Sequence, residues 1–434
     1  MTTPSRPEPA PHLSQDSSDA QEGPPHEGAL AWYSTLGAKG RKAFTGAFLG
    51  YGLDSYDFWV LPLGLAAIAA SFGLGTAQTG LLATTTLVCS AFGGILAGVL
   101  ADRVGRARTL MITVSVYAVF TALCGLAPSY ETLLVFRALQ GVGFGGEWAA
   151  GAILVAEYAQ ARHRGRAVAV IQSSWAVGWG LAVLVYTLVF QFLDPGLAWR
   201  VLFLTGALPA LLVIYVRRAV TDAPVFTERR AKAGRVSPAE VFHGGLLRTT
   251  VFATMLATGV QGGYYTLATW VPTYLKTERG LSVIGTGGYL LFLITGAFCG
   301  YLTGGHLTDR IGRKRTFAIF SVLSGTLILL YTQLPSSAGG YVMFLGFPLG
   351  FCSSAIFSGF GAFLAELYPS HIRGTGQGFT YNVGRGLGAF FPTIIGYLAA
   401  TYSVGGAMAF GALAYGLALV ALLGLPETRA RRLS

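Results

Sequence analysis

The sequence GVLADRVGR at residues 98–106 returns as GHLTDRIGR at residues 305–313, and each copy ends a long apolar run. The aspartates of the two copies, Asp102 and Asp309, stand 207 positions apart (309 − 102). A period of this length is far too long for a solenoid repeat, but it suits two bundles of six helices. The sequence therefore predicts a duplicated membrane protein whose halves are related by an axis along the membrane normal.

The composition places the chain in lipid. Hydrophobic residues form 53% of the 434 positions and charged residues only 11%, whereas soluble domains carry about 25% charged residues. The net charge of +11 would also suit a nucleic-acid binder, but the basic residues lie in short gaps between apolar runs, as on a surface beside anionic lipid. We therefore expect a lipid bilayer and no nucleic acid as partner. The four cysteines lack metal-ligand spacing, so we expect no metal site.

Twelve apolar runs are long enough to cross the membrane, since about 20 residues span the hydrocarbon core as a helix. They lie near residues 44–70, 78–100, 108–127, 132–157, 167–191, 199–216, 249–275, 283–307, 315–334, 340–367, 376–402 and 404–424. The predicted fold class is an all-α membrane protein with twelve transmembrane helices in two pseudo-symmetric six-helix bundles.

The chain divides at its longest polar gap between spans. Residues 44–216 and 249–425 form the predicted bundles, and the basic stretch at 217–248 is the expected cytoplasmic linker. Residues 1–43 are rich in Pro, Ser, Glu and Gly and lack the apolar core of a signal peptide, so we expect a disordered cytoplasmic tail. A second cytoplasmic tail is expected at 426–434.

The distribution of basic residues predicts the topology. If the N-terminus is cytoplasmic, the outward gaps hold only Arg200, Lys276 and Arg279, while Arg137 and Arg385 lie within spans. The other 25 of the 30 Lys and Arg residues (30 − 3 − 2) then face the cytoplasm. Cytoplasmic loops of membrane proteins carry such an excess of positive charge. We therefore expect a multi-pass protein of the cell's inner (plasma) membrane with both termini in the cytoplasm.

The repeated phrase resembles the Gly-x-x-x-Asp-Arg-x-Gly-Arg signature of the major facilitator superfamily, and it follows the second and eighth spans, as in that family. The resemblance covers nearly all of the chain and implies alternating access, with gates that hold one face shut. A second matching pair of stretches, 157–165 and 366–374, lies 209 positions apart (366 − 157). The gating residues so implied are Gly98, Asp102, Arg103, Gly105, Arg106, Glu157, Arg164, Gly305, Asp309, Arg310, Gly312, Arg313, Glu366 and Arg373. Plain cytoplasmic turns with topology-setting arginines are the alternative.

The fourth span contains the glycine pattern G-x-G-x-x-G at residues 141–146. This pattern can bind dinucleotides, but only after a strand and with an acidic residue about 20 positions later. Here an apolar helix continues on both sides of the glycines. We therefore expect that these small residues let helices pack closely in lipid.

Ionisable residues inside the spans are candidate functional groups, because each costs at least about 2.5–3.5 kcal/mol on insertion scales. Asp54 and Asp57 lie three residues apart on one face of the first span, Arg137 and Glu147 lie in the fourth, and Arg385 lies in the eleventh. A buried carboxylate beside a cation can be held near its protonation transition. We predict that the two aspartates, Arg137 and Glu147 couple transport to protons, with Asp57 as the main carrier. Ion pairs that only fix helix packing are the alternative.

Arg385 is the predicted substrate clamp, because a buried arginine keeps its proton and its planar fork matches a carboxylate. The corresponding position of the first half, 209 residues earlier (385 − 176), holds Ala176, so the shared fold does not require an arginine here. Further substrate-binding candidates are the polar and aromatic residues Gln140, Gln172, Trp175, Gln261, Tyr264, Tyr265, Tyr381 and Asn382. Helix packing and interfacial aromatic belts are the alternative.

These residues also resemble two branches of the superfamily. Residues 54–58, Asp-Ser-Tyr-Asp-Phe, look like the Asp-Gly-Phe-Asp-Phe of sialate and aromatic-acid proton symporters, with Ser55 in place of glycine. Residues 137–141, Arg-Ala-Leu-Gln-Gly, resemble the fourth-helix motif that is linked there to proton coupling. Residues 147–148 and 382–385 are similar to those organic-anion branches as well. The resemblance implies an organic-anion proton symporter.

The leading hypothesis is secondary active transport: proton-coupled uptake of a small organic acid anion by alternating access, without a cofactor and by a monomer. A proton-driven antiporter that exports amphipathic small molecules is the main alternative, and Arg385 disfavours it because a buried cation repels cationic compounds. A sugar, polyol or dicarboxylate symporter of the same fold remains open. A membrane sensor would need a soluble output domain, for which neither tail nor linker is long enough. The sequence contains no phosphate-binding loop or catalytic triad, so we expect no enzymatic activity.

Overall fold

The computed structural model describes residues 33, 37–104, 106–145, 164–208, 210, 238–335, 339–369 and 372–428. Within them the chain forms fourteen α-helices: α1 Gly37–Phe72, α2 Thr76–Val104, α3 Arg106–Gly125, α4 Tyr130–Phe144, α5 Arg164–Phe192, α6 Pro195–Leu204, α7 Leu246–Thr277, α8 Val283–Ile311, α9 Arg313–Gln333, α10 Gly339–Leu367, α11 Arg373–Gly388, α12 Phe390–Leu398, α13 Val404–Ala409 and α14 Gly411–Leu423. Short 3-10 helices lie at Thr205–Ala207 and Pro238–Phe242.

The helices follow the predicted spans in order. Seven helical stretches of the described chain are long and apolar enough to cross a membrane. Helix α7 is long enough to cross a membrane but is less apolar than these seven stretches. It contains many polar residues, and most of them are buried inside the protein. The eleventh span is divided between α11 and α12 at Ala389, and the twelfth between α13 and α14 at Phe410. The predicted fourth and sixth spans and the linker at 217–248 extend outside the described residues.

The helices pack as two bundles. In the first half, α1 packs on α5 and α6, and α4 packs on α2 and α3. In the second half, α10 packs on α8 and α9, and α7 packs on α11 and α14. The halves meet where α5 contacts α8, where α2 contacts α11 and α12, and where α1 contacts α7. This arrangement confirms the predicted fold class and leaves the centre of the protein to be lined by both halves.

The two copies of the repeated phrase end their helices at equivalent positions. Helix α2 ends at Val104 and α8 at Ile311, which again gives an offset of 207 (311 − 104). The break between α8 and α9 is Gly312, whose φ of 101° favours glycine because a Cβ is strained in that region. The corresponding Gly105 lies outside the described residues. The phrase therefore lies at the boundary between two helices in each half, and in the second half that boundary is the turn at Gly312.

The glycines of the fourth span lie at close helix contacts. A Cβ on Gly141 would stand 2.3 Å from the backbone oxygen of Thr86 on α2. A Cβ on Gly143 would stand 2.6 Å from the backbone nitrogen of Tyr117 on α3. Side chains at these positions would push α4 away from both neighbours. The prediction that these glycines serve packing is confirmed, and the position of α4 is fixed on two sides.

We call the end of the protein that carries residues 98–106 and 305–313 the motif end, and the other the opposite end. The halves touch near the opposite end. The Thr393 hydroxyl donates to the Thr84 hydroxyl at 2.7 Å, and Thr84 donates to the Ala389 carbonyl at 2.6 Å. These bonds join α2 of the first half to α12 and its N-terminal flank in the second half.

Candidate functional site

Two neighbouring cavities lie between the helices at the centre of the protein. The larger, which we call the Arg385 cavity, has a volume of about 500 Å³. It is lined by Tyr51, Asp54, Phe58, Phe144, Trp175, Tyr264, Tyr265, Tyr301, Phe357, Tyr381 and Arg385. The smaller, which we call the Asp57 cavity, has a volume of about 340 Å³. It is lined by Asp57, Phe58, Leu61, Pro62, Ala83, Thr86, Leu87, Arg137, Gln140, Phe144 and Thr269.

Arg385 supplies the cation of the larger cavity. Its guanidinium is buried, with only 6% of the residue exposed. One terminal nitrogen donates to the Tyr381 hydroxyl at 3.3 Å, and the guanidinium carbon lies 5.0 Å from the centre of the Tyr381 ring. The Nε atom is buried and has no hydrogen-bond partner among the residues that the structure describes. Since arginine keeps its charge when buried, this side chain presents a positive charge and an unused donor.

The wall of the Arg385 cavity is aromatic and comes from both halves. Nine of its eleven lining residues are Phe, Tyr or Trp, so a ligand there meets ring faces together with the hydroxyls of five tyrosines. The indole nitrogen of Trp175 on α5 donates to the Tyr264 hydroxyl on α7 at 2.7 Å and so links the halves. Tyr51 packs on Trp175, with ring centroids 5.0 Å apart.

The Asp57 cavity contains a chain of three buried polar side chains. The Arg137 guanidinium donates to the amide oxygen of Gln140 at 2.5 Å, and the Gln140 nitrogen donates to the Asp57 carboxylate at 2.5 Å. All three residues are at most 3% exposed. The amide thus connects a buried cation to a buried carboxylate, which stabilises the charged form of Asp57 without direct contact between the ions.

The two aspartates of α1 belong to different cavities. Asp54 lines the Arg385 cavity and Asp57 lines the smaller one. Three residues turn a helix by about 300°, so side chains at this spacing lie close together but point to neighbouring sectors. The sequence placed them on one face, and the structure divides that face between the Arg385 cavity and the chain with Gln140 and Arg137.

Helix α1 is held against α5 at short range. The hydroxyl of Ser55, where the similar branches have glycine, donates to the Trp175 carbonyl at 2.5 Å. A Cβ on Gly178 would lie only 1.8 Å from the Gly52 carbonyl oxygen. Trp59 stacks on Trp179 with centroids 3.8 Å apart. These contacts fix the rotation of α1 about its axis, so that Asp54 and Asp57 face the centre of the protein.

Three predicted substrate-binding residues line neither cavity, although all are buried. Gln261 donates to the Tyr381 carbonyl at 3.1 Å and accepts from the Tyr265 hydroxyl at 3.0 Å, so it holds two residues of the aromatic wall. Asn382 donates to a carbonyl one turn earlier in α11. Gln172 is buried on α5. Gln140, also predicted to bind substrate, lies instead beside Asp57.

Sequence reasoning missed several lining residues. Tyr301 on α8 and Phe357 on α10 complete the wall of the Arg385 cavity, and Phe144 and Thr269 line the Asp57 cavity. A tyrosine within a glycine-rich apolar helix is a usable signal, because its hydroxyl needs a partner in the membrane. The phenylalanines give no such signal, since they suit lipid and core equally well.

The gate residues of the second copy form an ion-pair cluster at the motif end. Arg313 pairs with Asp309 at 2.6 Å and with Glu366 at 2.9 Å. The Thr428 hydroxyl also donates to Glu366, and Glu427 accepts from the backbone N–H of Arg313. Three of the predicted gate residues therefore lie in contact with one another and with the segment after α14. Their gating role stays a prediction.

The other predicted gate residues contribute less to this picture. Arg310 is exposed, and Arg373 donates to the carbonyl of Ala365 at 3.0 Å. Gly98 and Gly305 have open space where a Cβ would stand. Several predicted functional residues, or their side chains, lie outside the described part of the chain: Asp102, Arg103, Gly105, Arg106, Glu147, Glu157 and Arg164.

Comparison with known proteins identifies the family. The model of the Major Facilitator Superfamily matches residues 47–305 and 289–434. The chain belongs to this superfamily. It is 39% identical over 405 residues to a probable 4-methylmuconolactone transporter of Cupriavidus pinatubonensis, a match that covers 92% of this chain and 94% of that protein. It is 30% identical to a cis,cis-muconate transport protein of Acinetobacter baylyi, over 84% of this chain and 88% of that protein.

The fold matches solved transporters of the superfamily. The xylose transporter of Escherichia coli in its inward-open conformation superimposes with a TM-score of 0.72 at 19% identity, covering 90% of this chain and 97% of that one. The superfamily, the twelve-helix fold and the likeness to organic-anion branches were all predicted and are confirmed. The protein is a multi-pass membrane transporter of small molecules and not an enzyme.

Proposed function

We propose that this transporter takes up a small organic carboxylate together with a proton by alternating access. The observation that carries the proposal is the Nε donor of buried Arg385, which has no hydrogen-bond partner among the described residues and belongs to a cavity walled by both halves. A carboxylate completes the hydrogen bonds of a guanidinium in a planar, two-point arrangement. A cavity built from both halves is also the place where a bound ligand can favour one arrangement of the halves over another.

The substrate that fits this cavity best is a planar unsaturated acid. One arginine can clamp one carboxylate, and ring faces pack well on conjugated or aromatic carbon. A sugar or polyol would need many polar partners, since each unpaired hydroxyl carries a desolvation cost. The named substrates of the two similar transporters, 4-methylmuconolactone and cis,cis-muconate, support an unsaturated acid. A cationic amphipathic compound would be repelled by Arg385.

Asp57 is the proposed proton carrier. A carboxylate can gain and lose a proton during a cycle, whereas a buried arginine does not. Arg137, acting through Gln140, stabilises the ionised form, and burial opposes it. These opposing effects suit a group that must be protonated on one side of the membrane and deprotonated on the other.

The basic residues support an inner (plasma) membrane orientation with the motif end and both termini in the cytoplasm. In that orientation, the contacts of Thr84 with Thr393 and Ala389 join the two halves on the side that faces out of the cell. Both cavities are built within one chain, so we propose that the monomer is the transport unit.

Uptake into liposomes tests the proposal. Purified protein is reconstituted with a pH-sensitive dye in the lumen, and labelled cis,cis-muconate, benzoate and xylose are offered with and without an inward proton gradient. We expect a carboxylate to accumulate only with the gradient, to bring protons with it, and to stop when a protonophore is added. Accumulation of xylose with exclusion of both acids, or carboxylate accumulation that survives the protonophore, would overturn the proposal.

A further inference from the structure

The two cavities are separated by a pair of rings. Of the residues that the structure describes, Phe58 and Phe144 alone line both cavities. Their rings stack with centroids 6.1 Å apart and planes inclined by 23°. On one side of the pair lie Asp54 and Arg385, and on the other lies the chain that ends in Asp57. An apolar partition thus stands between two polar compartments.

The two rings are anchored differently. Phe144 ends α4, whose glycines pack tightly on α2 and α3, and its ring meets Tyr117 edge-on at 6.5 Å. Phe144 is therefore fixed within the first half. Phe58 contacts Trp175 at 5.5 Å in its own half, and it also contacts Tyr265 of the second half at 6.2 Å. Phe58 is therefore the member of the pair that contacts a ring of the second half and would also contact a ligand in the Arg385 cavity.

We propose that Phe58 and Phe144 form a barrier that keeps water of the Arg385 cavity away from Asp57, and that Phe58 is the positioning residue through which substrate acts on Asp57. This inference rests on the proposed function and names the device that couples its two sites. Phe58 directly follows Asp57 in α1, so a ligand or a movement of α7 that pushes on Phe58 and shifts the backbone of α1 there also shifts Asp57. Proton exchange at Asp57 is then tied to substrate occupancy.

Loss of this barrier would have a measurable consequence, a proton leak. Water enters a buried space when polar groups can bind it, and both compartments are lined by such groups. With the Phe58 ring removed, the compartments join, and water can connect Asp57 to the Arg385 cavity whether or not substrate is bound. Protons then cross without substrate, and the transporter loses its coupling while its binding groups remain.

Proton flux without substrate is the decisive measurement. Liposomes with a luminal pH dye receive an inward proton gradient, and Phe58→Ala is compared with wild type, with Phe58→Leu and with Phe344→Ala. Phe344 lies on α10, is 62% exposed and lines neither cavity, so it controls for loss of a ring alone. We expect several-fold faster acidification for Phe58→Ala only, together with loss of substrate accumulation. Phe58→Leu should restore most of the coupling because it refills the space with apolar volume.

A second substitution identifies the path of the leak. We expect Asp57→Asn, added to Phe58→Ala, to return acidification to the wild-type rate. A Phe58→Ala protein that keeps the wild-type ratio of protons to substrate and changes only KM would overturn the inference, since Phe58 would then merely line the cavity. If Phe58→Ala does not reach the membrane, Phe144→Ala opens the same partition from its fixed side and carries the test. If wild-type protein moves substrate without protons, the proposed function fails. The barrier is tested separately, by whether Phe58→Ala lets protons cross in the absence of substrate.

Discussion

The two cavities at the centre of this transporter differ in which half of the chain supplies their functional residues. The charged residues of the Asp57 cavity, Asp57 and Arg137, come from one half and are joined there by Gln140. The Arg385 cavity takes its lining from both halves, and within the described part of the chain the Nε of its arginine has no hydrogen-bond partner. A charge network that is complete within one bundle can move with that bundle unchanged. A site divided between bundles is rebuilt whenever they move, so it is the natural place for substrate to bias the cycle.

The largest expected effect is at Arg385. If Arg385 binds the carboxylate of the substrate, Arg385→Ala should remove uptake altogether. Arg385→Lys keeps the charge but loses the fork, so we expect binding to weaken by about 1–3 kcal/mol, roughly 5- to 150-fold in Kd. Binding is measured on purified protein and uptake in liposomes, with membrane abundance as the control. A neutral amide of the substrate sharpens the test: if Arg385→Ala loses acid and amide binding equally while folded, Arg385 serves packing or gating.

Asp57 should give the next largest effect, and one of a different kind. Asparagine keeps hydrogen bonds but cannot cycle a proton, so Asp57→Asn should abolish accumulation driven by a proton gradient. Downhill substrate exchange should continue, because the Arg385 cavity is intact. Counterflow in liposomes measures exchange, and gradient-driven uptake measures coupling. Accumulation by Asp57→Asn would remove Asp57 as the carrier and make Glu147 the candidate.

Asp54 offers a matched comparison on the same helix. It lines the Arg385 cavity, whereas Asp57 lines the smaller one. We therefore expect Asp54→Asn to change substrate affinity within about tenfold, about 1.4 kcal/mol, while accumulation persists. Parallel measurements of KM and of the proton-to-substrate ratio separate the two aspartates. A larger loss of coupling for Asp54→Asn than for Asp57→Asn would reverse their roles.

The sequence predicted the helices well because burial in lipid leaves a strong pattern. Long apolar runs and the duplicated phrase located the spans and the turns between α2 and α3 and between α8 and α9. The local irregularities at Ala389 and Phe410 were not predicted, since hydropathy reports composition and not backbone hydrogen bonding. Both residues keep helical backbone angles, so the chain stays close to helical at both points.

The sequence predicted those residues of the candidate site whose charge is energetically costly within a membrane span. It did not predict the apolar residues, which resemble any other residue of a span. Asp57, Arg137 and Arg385 stood out because a charge within a membrane span requires a reason. The partner of each could not be read from spacing, which is why Gln140 was assigned to the substrate and lies beside Asp57. Phe357 gave no signal at all, because a phenylalanine in an apolar helix suits lipid, core and cavity alike.

The smallest expected effect concerns the bond that joins the halves across the Arg385 cavity. Trp175→Phe and Tyr264→Phe each remove one partner of the 2.7 Å bond between indole nitrogen and hydroxyl and keep a ring in place. Each should change substrate affinity by about 0.5–1.5 kcal/mol, at most about tenfold. The double variant should be no worse than either single one, since the bond is already lost in both. Titration of substrate against all four proteins gives the coupling energy. If the two effects simply add, the residues act separately, and the Arg385 cavity is no more dependent on contact between the halves than the Asp57 cavity.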